Sequence, residues 1–518
     1  MKNDAGYHSL RLDQVISYHA EANPDGEALI YAREAGSLHT LTWRNLDRWA
    51  DAFARTLYEA GVSPGARCAV MLNDEMACVA AIYGAWRAGC VVVPIDTQWG
   101  RATISGVLRH ADVHAIAGCE ADARSADGIL ASGGVSIVPF CEAPSQDVEA
   151  VRWEGSTEQP AMIAFTSGST AEPKGVMLRH RHLRAAYDNA RRDMDLAEPR
   201  RFGCVYRLSG LGVFGSCFLL AHECGAAAVV MRELSLETAR DFWHDVDRLQ
   251  IDFIYLVPAL IQIINRLSLP PGPGAHRPLL MTGAAPIVRE AHAELQSRFG
   301  VVALNAYGLT EASFAVFFGL RDDDGRGTVS IGPARSVEAR LVGNDGETIA
   351  GPGRGHMQFR GSTLTEGYFR NAEATEALFE DGWLVTGDIA DRDAAGNYYI
   401  VGRQKDVVIR GGFNIYLQEV DEVLMSHKSV VTACSVGLSD PVSGEDIYAL
   451  VKLKDDPDVP SETDLLSWCK AQLGKARAPR RILMSSEDLP RNGAGKIVRR
   501  EAREIIVKRL SSLEAYRT

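Results

Sequence analysis

The chain has 518 residues, too many for one ordinary hydrophobic core, so two or more domains are expected. Its 46% hydrophobic and 24% charged content is that of a globular protein, and its formal net charge of −12 argues against a surface that wraps nucleic acid or docks on anionic lipid. No apolar run reaches the roughly 18–20 residues of a membrane span, the N-terminal "MKNDAGYHSLRLDQ" has no signal-like apolar core, and none of the ten cysteines is spaced C-x-x-C. A cytoplasmic chain with free thiols, no nucleic acid and no membrane partner is the expectation, and the sequence leaves its oligomeric state open.

In chain order, "TWRNLDRWADAFARTLYEAGV" (42–62) carries apolar residues at helical spacing and "ARCAVML" reads as a buried strand. "EMACVAAIYGAWRAG" predicts a second helix, "CVVVPID" a strand, and "ATISGVLRHAD" with "VHAIAG" repeats the alternation. The rhythm returns after residue 175 with the helix "RHRHLRAAYDNARRDM", the strands "GAAAVVM" and "DFIYLV", and the helix "REAHAELQSRFG". Helix and strand taking turns implies mostly parallel sheets covered by helices. From about 330 to 400, short strands and Gly-rich turns ("HMQFRG", "GWLVTGD", "GNYYIVG") predict a β-rich subdomain. After "GRQKDVVIRGG" the pattern becomes a compact α+β unit, which places a boundary at 404/405: an α/β N-terminal domain over 1–404 and a small α+β C-terminal domain over 405–518.

Five loops carry the chemistry. In "TSGSTAEPKG" (166–175) the strand Met162–Phe165 runs into glycines and hydroxyls. Backbone N–H groups there, with Thr166, Ser167, Gly168, Ser169 and Thr170, can line an anion nest to which Lys174 adds a point charge. The stretch does not fit G-x-x-x-x-G-K-[ST], which argues against a kinase-type or P-loop ATPase site. In "AYGLTEAS" (306–313), Tyr307 offers a flat face for a base, and Thr310 and Glu311 could reach phosphate and Mg²⁺; alone, the stretch also reads as a helix N-cap. Asp388 in "LVTGDIA", at the expected end of a strand, could accept both hydroxyls of a ribose or fix a turn. "GRQKD" and "LPRNGAGKIVRRE" complete the set, Lys496 standing in a Gly-flanked turn that by itself reads as solvated.

In this order the five stretches resemble the superfamily of acyl-CoA synthetases, peptide-synthetase adenylation domains and firefly luciferase, over nearly the whole chain. The resemblance implies a two-step reaction: a carboxylate attacks the α-phosphate of Mg·ATP to give an acyl-adenylate and pyrophosphate, and a nucleophile then displaces AMP. Carried over residue by residue, the 166–175 loop would hold the β- and γ-phosphates and Glu311 the Mg²⁺. Tyr307 with Gly283, Ala284 and Ala285 would enclose the adenine, and Asp388 would hold the ribose with Arg403 nearby. Lys496 would bridge carboxylate and α-phosphate, and Lys405 would be the hinge on which the C-terminal domain turns between half-reactions.

"IRGGFNIYLQEVDEVL" resembles acyl-CoA synthetases more than peptide-synthetase domains, although Leu417 stands where "NIYP" is commoner. Coenzyme A is therefore the implied acceptor, with carrier-protein phosphopantetheine, an amine, or adenylation of another oxyacid such as nitrite as alternatives, and a non-catalytic nucleotide-binding protein as a remote one. "VYRLSGLGVFG" (205–215) matches the segment forming one wall of the acid pocket, here made by Arg207, Ser209 and Gly210 with Tyr307. Arg207 replaces a common His; it could pair with a second carboxylate, a phenolate or another polar group of the acid, or be neutralised by a protein carboxylate.

Overall fold

The structure is a computed structural model that describes residues 7, 9–33, 37–73, 75–118, 135–144, 146, 148–166, 174–196, 200–287, 289–320, 329–410, 413–440, 443–454, 459–491 and 497–515. The described strands form four sheets. One has six strands in the order Ser136–Val138, Ala115–Ala117, Arg67–Leu72, Val91–Asp96, Pro160–Thr166, Lys174–Arg179, parallel throughout except for the last, antiparallel pair. The second has eight, and its parallel centre runs Ala303–Gly308, Leu279–Thr282, Phe253–Tyr255, Arg201–Cys204, Ala227–Val230, Glu27–Tyr31. Both predicted runs of alternating helix and strand thus fold as expected, since parallel neighbours need a crossover helix.

Helix Glu75–Arg87 is apolar on nearly every side, and all but Met76 of its residues are buried. Such a helix cannot sit on a surface. It lies in a core shared by both sheets and by helices Trp43–Glu59 and His180–Asp193. Separate cores cover the outer face of each sheet.

Two interior polar contacts fix the helices behind the site. Arg184 pairs with Glu223, both about as buried as a charge can be at 4% and 3% side-chain exposure. Arg184 also donates to the Tyr7 carbonyl at 2.7 Å and lies over the Tyr7 ring. His222 Nε2 faces the Ala28 carbonyl at 3.1 Å and so donates, leaving Nδ1 to accept from the Tyr83 hydroxyl at 2.7 Å. Burial holds this imidazole neutral, its pKa pushed down to about 3.

The β-rich subdomain is an antiparallel sheet in the order Gly332–Pro333, Asn397–Arg403, Trp383–Arg392, Gly353–Arg360, Glu338–Val342. The next strand, Val407–Arg410, belongs to a fourth sheet with Phe413–Tyr416, Gly444–Leu453, Val430–Asp440 and Arg481–Ser485, flanked by helices Leu417–Met425, Glu462–Leu473 and Arg499–Ala515. Sheet membership changes across the turn Gln404–Asp406. Among the described residues, the apolar clusters of this last unit draw on residues 408–510 alone.

The Arg184–Glu223 pair joins the helix after the Lys174–Arg179 strand to the helix behind the 205–210 loop. Arg184→Met should leave Glu223 buried without a partner and cost about 3–5 kcal/mol, whereas Arg184→Met with Glu223→Leu should recover most of the loss. Urea unfolding of the full chain reads both; a single variant as stable as the wild type would contradict the assignment.

Candidate active site

Parallel strands deliver their C-terminal ends to one edge, and the loops leaving that edge form a crevice. Cys204, Thr282 and Gly308 end three strands of the eight-stranded sheet, and Asp96 and Thr166 end two of the six-stranded one. Every described candidate residue before 320 lies on or just beyond these ends, or on the return strand beginning at Lys174.

Close backbone approach shapes two of the loops. A Cβ on Gly283 would lie 2.6 Å from the Ala306 carbonyl oxygen, and one on Gly308 would lie 2.2 Å from that of Phe314. Neither position has room for a side chain. Ala284 follows with φ +64°, a left-handed conformation that costs a non-glycine residue on the order of 1 kcal/mol and persists where the surroundings enforce it. Ala284 is exposed and Ala285 half-buried, so the strained turn faces outward beside Tyr307 rather than into the core.

Tyr307 donates its hydroxyl to Asp388 Oδ2 at 2.5 Å, and Arg403 forms an ion pair with the same carboxylate, Nε lying 3.0 Å from Oδ1. Asp388 and Arg403 stand directly opposite each other on paired strands, so the ion pair follows from the register. Asp388 is only 3% exposed and would be costly unpaired. Burial, then the Asp388 carboxylate, pushes the Tyr307 phenol well above its usual range and keeps it a donor. A carboxylate has about four acceptor positions. With one taken by the phenol and one oxygen facing Arg403, Asp388 retains acceptors for a pair of vicinal hydroxyls. The expectation that a strand ends at Thr-Gly-Asp is corrected: Trp383–Arg392 is continuous. Gly387 at φ +70° and an Asp388 N–H bond to the Thr386 hydroxyl, at 3.0 Å, set the carboxylate within the strand instead.

Thr310 and Glu311 lie in a single 3₁₀ turn, Thr310–Ala312, rather than at the start of a longer helix. Ser313 closes it at φ +68°, fixed by its hydroxyl donating to the Thr363 carbonyl at 2.7 Å. Glu311 Oε1 accepts from the Tyr368 hydroxyl at 2.7 Å, and its carbonyl accepts the Thr365 N–H at 2.8 Å. The Lys174 ammonium lies 5.1 Å from the centre of the Tyr368 ring. Tyr368 therefore joins the lysine of one motif to the glutamate of another. It is the site contact that the motifs missed; the available signal was an aromatic pair, Tyr368–Phe369, in the turn "TEGYFRN". That turn is laced to the Lys174–Arg179 strand by Met177 N–H to the Gly367 carbonyl, 3.1 Å, and Phe369 N–H to the Gly175 carbonyl, 2.8 Å.

Thr166 pairs in register with Lys174, which closes the base of the 167–173 loop. Ser167, Gly168, Ser169, Thr170 and the Thr166 side chain lie outside the described residues, as does Lys496, whose flanks Arg491 and Ile497 form an antiparallel bridge. Among the described residues no cluster of three or more His, Cys, Asp or Glu could hold a metal. Glu311 alone suits Mg²⁺, which takes one or two protein carboxylates and completes its shell with phosphate oxygens and water. Arg207, Ser209 and Gly210 are half-buried beyond Cys204, and Lys405 is exposed in the turn between the third and fourth sheets. Behind them, the helix from Leu211 contains a π turn at Gly215–Leu219, where a Cβ on Gly215 would lie 2.3 Å from the Tyr187 hydroxyl.

The AMP-binding enzyme family matches residues 16–369, and the AMP-binding enzyme C-terminal domain matches 419–496. A sulfoacetate–CoA ligase of Cupriavidus necator is 29% identical over 502 residues, covering 94% of this chain and 96% of that protein. A feruloyl-CoA synthase of an Amycolatopsis species is also 29% identical, over 89% of this chain and 93% of its own. ATP-bound MatB of Rhodopseudomonas palustris superposes with a TM-score of 0.84 at 21% identity, over 96% of this chain and 99% of that one, which shows a common fold. With the described residues of its motifs brought together and its family match spanning most of the length, the chain belongs to the AMP-binding enzymes, AMP-forming ligases of the acyl-adenylate superfamily.

Proposed function

We propose that this enzyme activates a small carboxylic acid with Mg·ATP and passes the acyl group to coenzyme A. The observation that carries the reading is the pair of preorganised acids on one crevice, Asp388 held by Tyr307 and Arg403, and Glu311 held by Tyr368 beside Lys174. In the first step a carboxylate oxygen bonds to the α-phosphorus and the bond to the β-phosphate oxygen breaks, releasing pyrophosphate. In the second, the thiol attacks the acyl carbonyl and AMP departs.

An anion attacking an anion needs fixed positive charge on the developing phosphate. Lys174 and the 166–170 loop would steady the departing β- and γ-phosphates, and Lys496 would meet the acid and the α-phosphate together. A bound Mg²⁺ would supply Lewis-acid stabilisation of phosphate charge, with Glu311 as its protein ligand. Asp388 would take the ribose hydroxyls, and Tyr307 with Gly283, Ala284 and Ala285 the adenine. Coenzyme A is favoured over a carrier protein, an amine or nitrite activation by relatives named for coenzyme A ligation of sulfoacetate and ferulate along almost the whole chain. Residues 1–404 and 405–518 would act as two domains turning about Lys405.

Three outcomes follow from these roles. Lys496→Ala should abolish ATP–pyrophosphate exchange while largely sparing thiolysis of a supplied acyl-adenylate; equal loss in both assays would remove the division of labour. Lys405→Pro should slow thiolysis more than adenylation, and unchanged single-turnover rates for both steps would take the hinge away from this residue. Tyr368→Phe should lower the adenylation rate about 10-fold and raise the Mg²⁺ concentration for half-maximal rate, because a hydrogen bond to a charged group is lost. An unaltered Mg²⁺ dependence would confine Tyr368 to packing.

A further inference from the structure

The residue in the crevice that the nucleotide and the reacting carboxylate leave unused is Arg207. Its backbone is held on both sides. The Tyr206 hydroxyl accepts the Val257 N–H at 2.8 Å, the Tyr206 carbonyl accepts from Arg33 at 2.7 Å, and Leu208 is buried. Its side chain is different. Arg207 is half-buried, yet its guanidinium makes no hydrogen bond or ion pair with any described residue.

Asp96, at the C-terminal end of the Val91–Asp96 strand in the other parallel sheet, is the acid that Arg207 acts on electrostatically. The two interact electrostatically but do not close to a salt bridge. Asp96 is 4% exposed and already accepts the Gln98 N–H at 2.9 Å, so its position is fixed by its own turn. Arg207 is thus drawn toward Asp96 electrostatically without forming an ion pair with it. Beside it, Gly210 at φ +149° and Gly212 have nothing within 4 Å of where a Cβ would lie, so the space is open.

We propose that Arg207 receives a second anionic group of the acid, a carboxylate or sulfonate, and that the enzyme's substrates are short dianionic acids. A planar guanidinium with free N–H groups takes such an oxyanion in a bidentate fork. Arg207 stands just beyond the Arg201–Cys204 strand beside the open space at Gly210 and Gly212, where a second anion of a small acid has room.

This inference rests on the acid–CoA ligase reading, and the test separates the two. Pyrophosphate release with Mg·ATP and coenzyme A is measured for malonate, succinate and sulfoacetate against acetate, propionate and butyrate, in the wild type, Arg207→Leu and Arg207→Lys. The wild type should prefer a dianion. Arg207→Leu should lower kcat/KM for that dianion about 10- to 100-fold more than for the monoanion of equal length, with Arg207→Lys intermediate. Direct titration of the preferred dianion into the adenosine-bound enzyme should show the same order of affinities, a readout independent of turnover. A wild-type preference for monoanions, or equal losses for both classes in Arg207→Leu, overturns the assignment. Pyrophosphate from no acid at all overturns the ligase reading beneath it.

Discussion

A single hydrogen bond, from the Tyr307 hydroxyl to the Asp388 carboxylate, ties the eight-stranded sheet to the β-rich subdomain at the point where a nucleoside would sit. Its strength comes from burial. A 3% exposed carboxylate without donors would be a large penalty, so the phenol, the Arg403 guanidinium and the carboxylate hold one another in place. The Tyr307 ring then has no freedom to swing, and the strained turn at Ala284 beside it is held against the neighbouring strand by the missing side chain of Gly283. Preorganisation at this knot means that binding a base and a ribose orders little that is not already ordered.

The net charge of −12 and the chemistry of the crevice pull in opposite directions, and distance decides between them. At ordinary ionic strength the screening length is about 8–10 Å, so surface acids far from the crevice barely act on a bound triphosphate. Lys174, Arg207 and Arg403 act over a few ångströms. Lys174 is held near Glu311 through the Tyr368 ring rather than by a direct ion pair, which leaves its ammonium available to another anion. The same economy appears at Arg207, which acts on Asp96 electrostatically without closing on it.

Much of the fold is legible in the chain because helix and strand periods differ so plainly, as in "EMACVAAIYGAWR" followed by "VVVPID". The motifs were legible as a set, since glycines at 283 and 308 mark backbone contacts that only glycine allows. What escaped is contact between segments distant in sequence. Tyr368 lies 57 residues from Glu311 and its role depends on a turn laced to the strand after Lys174. Asp96 and Arg207 act on each other electrostatically although they lie at or just beyond the ends of strands in different sheets, far apart in sequence. The Thr-Gly-Asp stretch misled for a local reason: Gly387 in a left-handed conformation looks like a strand end in sequence but is absorbed as an irregularity in a ten-residue strand.

The proposed hinge has a physical basis that the motifs do not express. Among the described residues no apolar cluster spans both sides of the 404–406 turn, so reorienting the C-terminal unit would not open a core. Polar contacts across it centre on Arg354, which pairs with Asp391 on its own side, at 2.7 Å, and with Glu419 on the other, at 3.0 Å, while lying over the Tyr416 ring. Gln418 Nε2 adds a longer contact, donating to the Ile400 carbonyl at 3.2 Å. Ion pairs this exposed contribute about 0–1 kcal/mol each. The proposed presentation of Lys496 for adenylation and its later withdrawal would call for an interface of this kind: specific enough to define an orientation, and weak enough to be exchanged for another within a turnover. A hydrophobic seam across residue 405 would fix one half-reaction's geometry and obstruct the other.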